Sequence, residues 1–166
     1  MKKIALVSGA TAGIGKATAE ILAKNGYNVI ITGRRNERLQ ELKKEIESTT
    51  DSKVYTLNFD VRDNKQVCEA IDSLPAEWKN IDVLVNNAGL ASGLDPIQSG
   101  DIEDWEKMID TNVKGLLYLT RKVSPMMIER KSGHIVNIDS IAGKEVYANG
   151  NVYCATKHAV DALTKG

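Results

Sequence analysis

The sequence has 166 residues, enough for about one domain able to bury roughly two thirds of its extended-chain surface. Its 22 basic and 22 acidic residues cancel, so no global field draws it to nucleic acid or to an anionic membrane. The longest apolar runs are far too short for a membrane-spanning helix. Cys68 and Cys154 offer neither a disulfide framework nor a metal spacing, and His134 and His158 lack companion ligands nearby, so no metal site is expected. Met1-Lys2-Lys3 opens like a secretory leader, but Ser8-Gly9 interrupts the apolar run too early for one. A cytoplasmic protein is the default expectation.

Ile4-Ala5-Leu6-Val7 is a β-forming run, followed by Ser8-Gly9-Ala10-Thr11-Ala12-Gly13-Ile14-Gly15. Residues 16–25 carry Ala19, Leu22 and Ala23 at helical spacing, and Gly26 stops them. Val29-Ile30-Ile31-Thr32 is a second strand, ended by Gly33. Strand, glycine turn, helix, strand is a βαβ unit, which demands a parallel sheet. The alternation continues. Leu39, Leu42 and Ile46 mark a polar helix over 36–49, and 54–59 reads as a third strand. Val67, Ala70, Ile71 and Leu74 make a short helix ended by Pro75, and 81–85 is a fourth strand. From Ile102 to about Arg130 the spacing predicts one long helix, bent near its end by Pro125. Residues 134–138 are a fifth strand, and a further helix from Val152 still reads as helix at the last residues.

The expected fold is α/β, a doubly wound, Rossmann-like parallel sheet of at least five strands, forming a single dinucleotide-binding domain over residues 1–166. No stop signal precedes Gly166, and a fifth strand at the sheet's edge would leave apolar surface bare. The chain is therefore expected to be truncated within the helix after Tyr153.

Gly9, Gly13 and Gly15 follow a strand and open a helix. Glycines let the backbone turn tightly and approach a pyrophosphate, whose charge meets the N–H groups of the helix N-terminus. An ordinary glycine-rich turn is the competing reading. Folds of this type that prefer NAD place an acid at the end of the second strand, where it holds the ribose 2′-OH. Here that place carries Gly33-Arg34-Arg35. Guanidinium groups bind phosphate through paired charged hydrogen bonds, so NADP is the expected cofactor and NAD the weaker alternative.

Tyr153 and Lys157 are four residues apart and share a helical face. A nearby ammonium favours a phenolate, which gives a general acid/base for an alcohol oxygen. The spacing alone decides nothing, because Tyr118 and Lys122 repeat it inside the long helix.

Taken together, the chain resembles the short-chain dehydrogenase/reductase family. The resemblance rests on Ser8-Gly9-x-x-x-Gly13-Ile14-Gly15, Asp60-Val61, Asn86-Asn87-Ala88-Gly89, Asn112, Ser140 and Tyr153-x-x-x-Lys157, in that order. Ser140 stands thirteen positions before Tyr153, where the Tyr118 pair has Trp105. The resemblance implies that Gly9, Thr11, Gly13, Ile14 and Gly15 cradle the cofactor. It implies that Asp60 bonds the adenine amino group beside the Val61 amide, and that Asn87 and Gly89 line the adenosine-ribose side. Asn112 would hold a water in a proton relay and Ser140 would polarise the substrate oxygen. Tyr153 would transfer the proton, and Lys157 would bind the nicotinamide ribose and favour ionised Tyr153.

The stretches Thr32–Leu42, Leu74–Asp82, Glu103-Asp104-Trp105 and Gly150-Asn151-Val152-Tyr153 resemble the NADP-dependent 3-hydroxy acid dehydrogenases that act on serine, allo-threonine and related β-hydroxy acids. Departures are Ser8 in place of Thr, and Asp139 where a small residue is common. The resemblance further implies two more strands, a substrate lid and a nicotinamide-gripping loop beyond Gly166. The expected activity is NADP-dependent hydride transfer on a 3-hydroxy or 3-oxo acid in a homodimer or homotetramer. The alternatives are a 3-oxoacyl thioester or general carbonyl reductase, or an inactive nucleotide-binding fragment.

Overall fold

The computed structural model describes residues 2–166. In β1 (Ile4–Val7) successive side chains leave opposite faces, so Ile4 and Leu6 enter one apolar core while Ala5 and Val7 enter another. β2 (Asn28–Gly33) divides the same way, with Ile30 on the first side and Val29 and Ile31 on the second. Burial on both faces explains why these strands read as unbroken apolar runs rather than alternating ones.

The five strands are all parallel and ordered β3-β2-β1-β4-β5, with β3 at Val54–Asn58, β4 at Ile81–Asn86 and β5 at His134–Asn137. α1 (Gly13–Lys24) and α2 (Asn36–Thr49) cover one face through Ala19, Ala23, Leu39, Leu42 and Ile46. α3 (Asn64–Asp72) and α5 (Leu116–Glu129) cover the other through Val67, Ile71, Leu119 and Val123. The chain steps outward from β1 to β3 and then returns to the far side of β1 as β4. Connections leave β1 and β4 in opposite directions, which opens a crevice at their carboxyl ends.

The helix expected over 102–130 is three pieces. α4 (Ile102–Ile109) passes into a π-helical turn, Asp110–Gly115, and only then into α5. The wider turn brings Thr111, Asn112 and Gly115 into the interior. Gly115 abuts Val61, whose Cγ2 would lie 2.8 Å from a Cβ added there. α5 then continues through Pro125 to Glu129. α3 stops at Asp72, ahead of the Pro75 expected to end it, because Ser73 already serves as its cap.

α6 (Asn151–Lys165) packs on α4 and on the π-turn. Among the described residues no helix is long and apolar enough to cross a membrane.

Candidate active site

The glycine turn after β1 is held open by Ser8. Its hydroxyl donates to the Val85 carbonyl at 3.3 Å and accepts the N–H groups of Asn87 and Ala88, each at 3.0 Å. The Asn87 amide returns the favour, donating to the carbonyls of Ser8 at 2.8 Å and Gly9 at 3.2 Å. These bonds lock the turns after β1 and β4 together. Gly9 and Gly13 adopt φ of +65° and +55°, values that glycine reaches at little cost. A Cβ on Gly9 would sit 2.9 Å from Ala88 Cα, so the two turns touch only because that position is bare. Among the described residues no side chain caps α1, and no acid lies in its first turn. Its leading N–H groups and positive dipole end are therefore available to an anion.

A cavity of about 820 Å³ runs along the crevice from this turn. Gly9, Thr11, Ala12 and Ile14 line its middle; Arg34, Arg35, Asp60 and Val61 line it beside β2 and β3; Tyr153 and Lys157 line it from α6. Its size lies in the upper part of the range of small-molecule and cofactor sites, about 300–1,000 Å³.

On the β2 side, Arg35 Nη2 donates to the Thr11 hydroxyl at 2.6 Å, which fixes that guanidinium over the glycine turn. Arg34 is mostly exposed and lies 3.7 Å from Asp60 Oδ2. Asp60 itself is gripped by Arg62, with Nη2 2.7 Å from Oδ2 and the Arg62 main-chain N–H 3.0 Å from Oδ1. Burial alone would push the Asp60 carboxyl up, but the Arg62 hydrogen bonds outweigh it and hold it below the usual carboxylate range.

On the α6 side, one helical turn separates Tyr153 from Lys157, and Lys157 Nζ lies 6.0 Å from the Tyr153 ring centroid. Lys157 is 7% exposed and donates to the Ile138 carbonyl at 2.8 Å. Burial pushes its pKa below the ordinary lysine value, partly opposed by the negative charge of Asp139. Asp139 also lines the cavity, and its Oδ1 is buried without a hydrogen-bond partner among the described residues. The second pair, Tyr118 and Lys122, lies elsewhere: Tyr118 packs on the core and Lys122 pairs with Asp72.

The expected cofactor residues Gly9, Thr11, Ile14, Arg34, Arg35, Asp60, Val61, Asn87, Gly89, Tyr153 and Lys157 all face one cavity, whereas Gly13 and Gly15 shape the turn from behind it. Asn112 and Ser140 also stand outside its wall. Asn112 is buried, and its amide is committed to protein: Oδ1 accepts the Leu90 N–H at 2.9 Å, and Nδ2 donates to the Leu90 carbonyl at 2.8 Å and to Thr156 Oγ1 at 3.0 Å. The Ser140 hydroxyl accepts the Ala142 N–H at 3.1 Å and caps a short 3-10 turn at Ile141–Gly143. Sequence reasoning missed Leu90, Ala91, Thr111 and Ile138 on the wall, and Thr156 behind it. Thr156 carried a weak signal, a small polar residue one place before Lys157.

Residues 3–166 match the sequence profile of the short chain dehydrogenases. The chain belongs to the short chain dehydrogenase family. Among relatives, an NADP-dependent 3-hydroxy acid dehydrogenase, YdfG of Salmonella typhi, is 56% identical over 154 residues, covering 93% of this chain and 60% of the relative. A sulfoacetaldehyde reductase of Chromohalobacter salexigens is 46% identical over 99% of this chain and 65% of its own length. Among solved structures, serine dehydrogenase from Escherichia coli superposes with a TM-score of 0.91 at 54% identity, over 96% of this chain and 72% of that one. The closed form of a serine dehydrogenase, complexed with NADP+, gives a TM-score of 0.92 over 96% and 63% of the two chains. This short chain dehydrogenase sequence thus spans about 60% of the length of the first relatives it matches.

Proposed function

We propose that residues 1–166 form one dinucleotide-binding domain of an NADP-dependent oxidoreductase that interconverts a 3-hydroxy acid and its 3-oxo form. The observation that carries this reading is a single cavity with two arginines at one end, an uncapped helix N-terminus in the middle and a Tyr-Lys pair at the other. The residues fit the cofactor on their own chemistry. Gly9 leaves backbone bare on the cavity wall where a pyrophosphate needs close approach, and Arg34 and Arg35 suit a 2′-phosphate. The relatives and neighbours that carry NADP in their names or complexes support the same choice.

Bound NADP supplies the two-electron exchange with the substrate carbon. Tyr153 gives or takes the proton of the substrate oxygen, and Lys157, anchored to the Ile138 carbonyl, holds positive charge near the Tyr153 ring and would bind the cofactor ribose. Ser140 polarises the same oxygen; among the described residues its hydroxyl proton has no acceptor, which leaves it free to donate. A relay water at Asn112 bonds its main-chain carbonyl or the second Oδ1 lone pair, since the rest of its amide is engaged.

Exposed Ile102, Ile109 and Leu117 supply apolar surface for a homodimer or homotetramer. Two free cysteines fit a reducing cytoplasm.

Asp139 favours a second reading, a general carbonyl reductase for neutral substrates, because its carboxylate stands on the wall near the acid/base pair and repels a substrate carboxylate. NADPH oxidation with a panel of 3-oxo acids and neutral ketones, and NADP+ reduction by serine and 3-hydroxypropionate, separate the two. Turnover of the acids supports the first reading; turnover of neutral ketones alone supports the second. Cofactor binding with no turnover of either leaves a nucleotide-binding fragment. Tyr153→Phe is expected to lower kcat by about a hundredfold or more, and full activity of that variant overturns the catalytic assignment.

A further inference from the structure

Asp60 puts a carboxylate on the same end of the cavity as Arg34 and Arg35. That is a problem for a site that must take a phosphate. Any anion gripped by Arg34 shares that guanidinium with Asp60, whose Oδ2 lies 3.7 Å from Arg34 Nη1. An uncompensated carboxylate there would repel the anion and compete for the arginine.

Arg62 answers both effects from outside the cavity wall. Its guanidinium meets Asp60 with a planar fork, Nε at 3.1 and 3.0 Å from Oδ1 and Oδ2 and Nη2 at 2.7 Å from Oδ2. The pair is partly buried, with the Arg62 and Asp60 side chains 35% and 20% exposed, so water screens it less than an exposed pair. Arg34 makes the longer contact, and its side chain is 60% exposed. The carboxylate is thus satisfied chiefly by an arginine that is not part of the cavity wall.

We propose that Arg62 is the counter-charge that allows a cavity containing Asp60 to accept a nucleoside 2′-phosphate, by neutralising Asp60 and leaving Arg34 free for the ligand. Arg62 acts through Asp60 and is a positioning residue for cofactor choice. The inference rests on the NADP reading of the cavity. The competing account is that Arg62 merely ties the loop after β3, in which case its loss weakens all adenine nucleotides alike.

Calorimetric titration with adenosine 2′,5′-bisphosphate and adenosine 5′-monophosphate reads the 2′-phosphate alone and needs no turnover. The wild-type protein should prefer the bisphosphate. Arg62→Gln should weaken the bisphosphate about tenfold or more, while the monophosphate changes less than about threefold. Adding Asp60→Asn to Arg62→Gln should restore the preference, because the charge needing neutralisation is gone. Arg62→Lys, which keeps the charge on the native fold, should retain most of the preference.

Equal weakening of both ligands by Arg62→Gln, or a preference that stays lost in the double variant, overturns the proposal. So does collapse of the preference in Arg62→Lys. A wild-type protein with no preference for the bisphosphate removes the NADP reading and this proposal with it. A wild-type preference that Arg62→Gln leaves intact removes this proposal alone.

Discussion

Asn112 donates its side-chain N–H to the Thr156 hydroxyl across 3.0 Å, and Thr156 passes its own proton to the Tyr153 carbonyl at 2.7 Å. The π-turn is thereby stitched to the helix that carries Tyr153 and Lys157, while the same Nδ2 also donates to the Leu90 carbonyl and Oδ1 accepts the Leu90 N–H. Asn112→Ala leaves these groups without partners in a buried place, at a cost of about 1–3 kcal/mol. Thr156→Val removes both hydroxyl bonds at nearly constant volume and should lower kcat, while Thr156→Ser should restore it. Urea unfolding and steady-state kinetics on the variants check the two halves of this expectation.

Asp60 carries a pH signature. Its carboxyl is depressed in the folded state, so the stability it contributes is fully present above the unfolded value of 3.8 and is lost as pH falls through the folded value. Asp60→Asn should flatten the stability-against-pH curve below 3.8. Above that pH it should lower stability by a constant amount. Urea midpoints measured across the acid range decide this; an unchanged acid slope contradicts it.

Lys157 has the opposite sign. Burial depresses its pKa, so the folded protein binds the lysine proton less well than the unfolded chain does, and stability rises with pH between the folded value and 10.5. At neutral pH the buried ammonium costs stability. Lys157→Met should therefore raise stability by roughly 0.5–2 kcal/mol while abolishing catalysis, and the gain should shrink as pH approaches 10.5. Equilibrium unfolding at two pH values tests both parts.

Leu84 is fully buried on β4, an interior strand of the sheet, paired in register with Leu6 and Ile135. Leu84→Ala should cost about 2–5 kcal/mol, a large share of the stability of a typical domain. Ile128→Ala on the exposed side of α5, where the side chain is 73% exposed, should change stability by less than about 0.5 kcal/mol. Thermal melts of the pair compare core with surface directly.

The sheet was readable because its signal is local. Runs such as Ile4–Val7 and Val29–Thr32 are apolar throughout, as parallel strands buried on both faces must be. The buried face of α2 follows from the spacing of Leu39, Leu42 and Ile46. The π-turn was not readable. Ile109, Val113, Leu116 and Leu117 keep nearly helical spacing through it, so the extra residue per turn leaves no mark in the apolar pattern. The arginines after β2 suggested a phosphate, yet the Asp60–Arg62 fork was invisible because both residues lie in the loop after β3, whose path no periodicity fixes. Motif order anticipated a set of expected cofactor residues, most of which line one cavity. It could not separate Gly15, which packs 2.5 Å from the Gly9 carbonyl oxygen when a Cβ is imagined there, from glycines that face a ligand.

The Ser8 hydroxyl uses its full bonding capacity, one proton given and two N–H groups received. The loops after β1 and β4 are therefore already in one shape before any nucleotide arrives. Little loop ordering then opposes association, so the rate at which nucleotide enters should follow diffusion and charge rather than a slow rearrangement. Ser8→Ala keeps the backbone path open but frees the two loops, and its expected mark is a slower, multiphasic approach to equilibrium in stopped-flow binding.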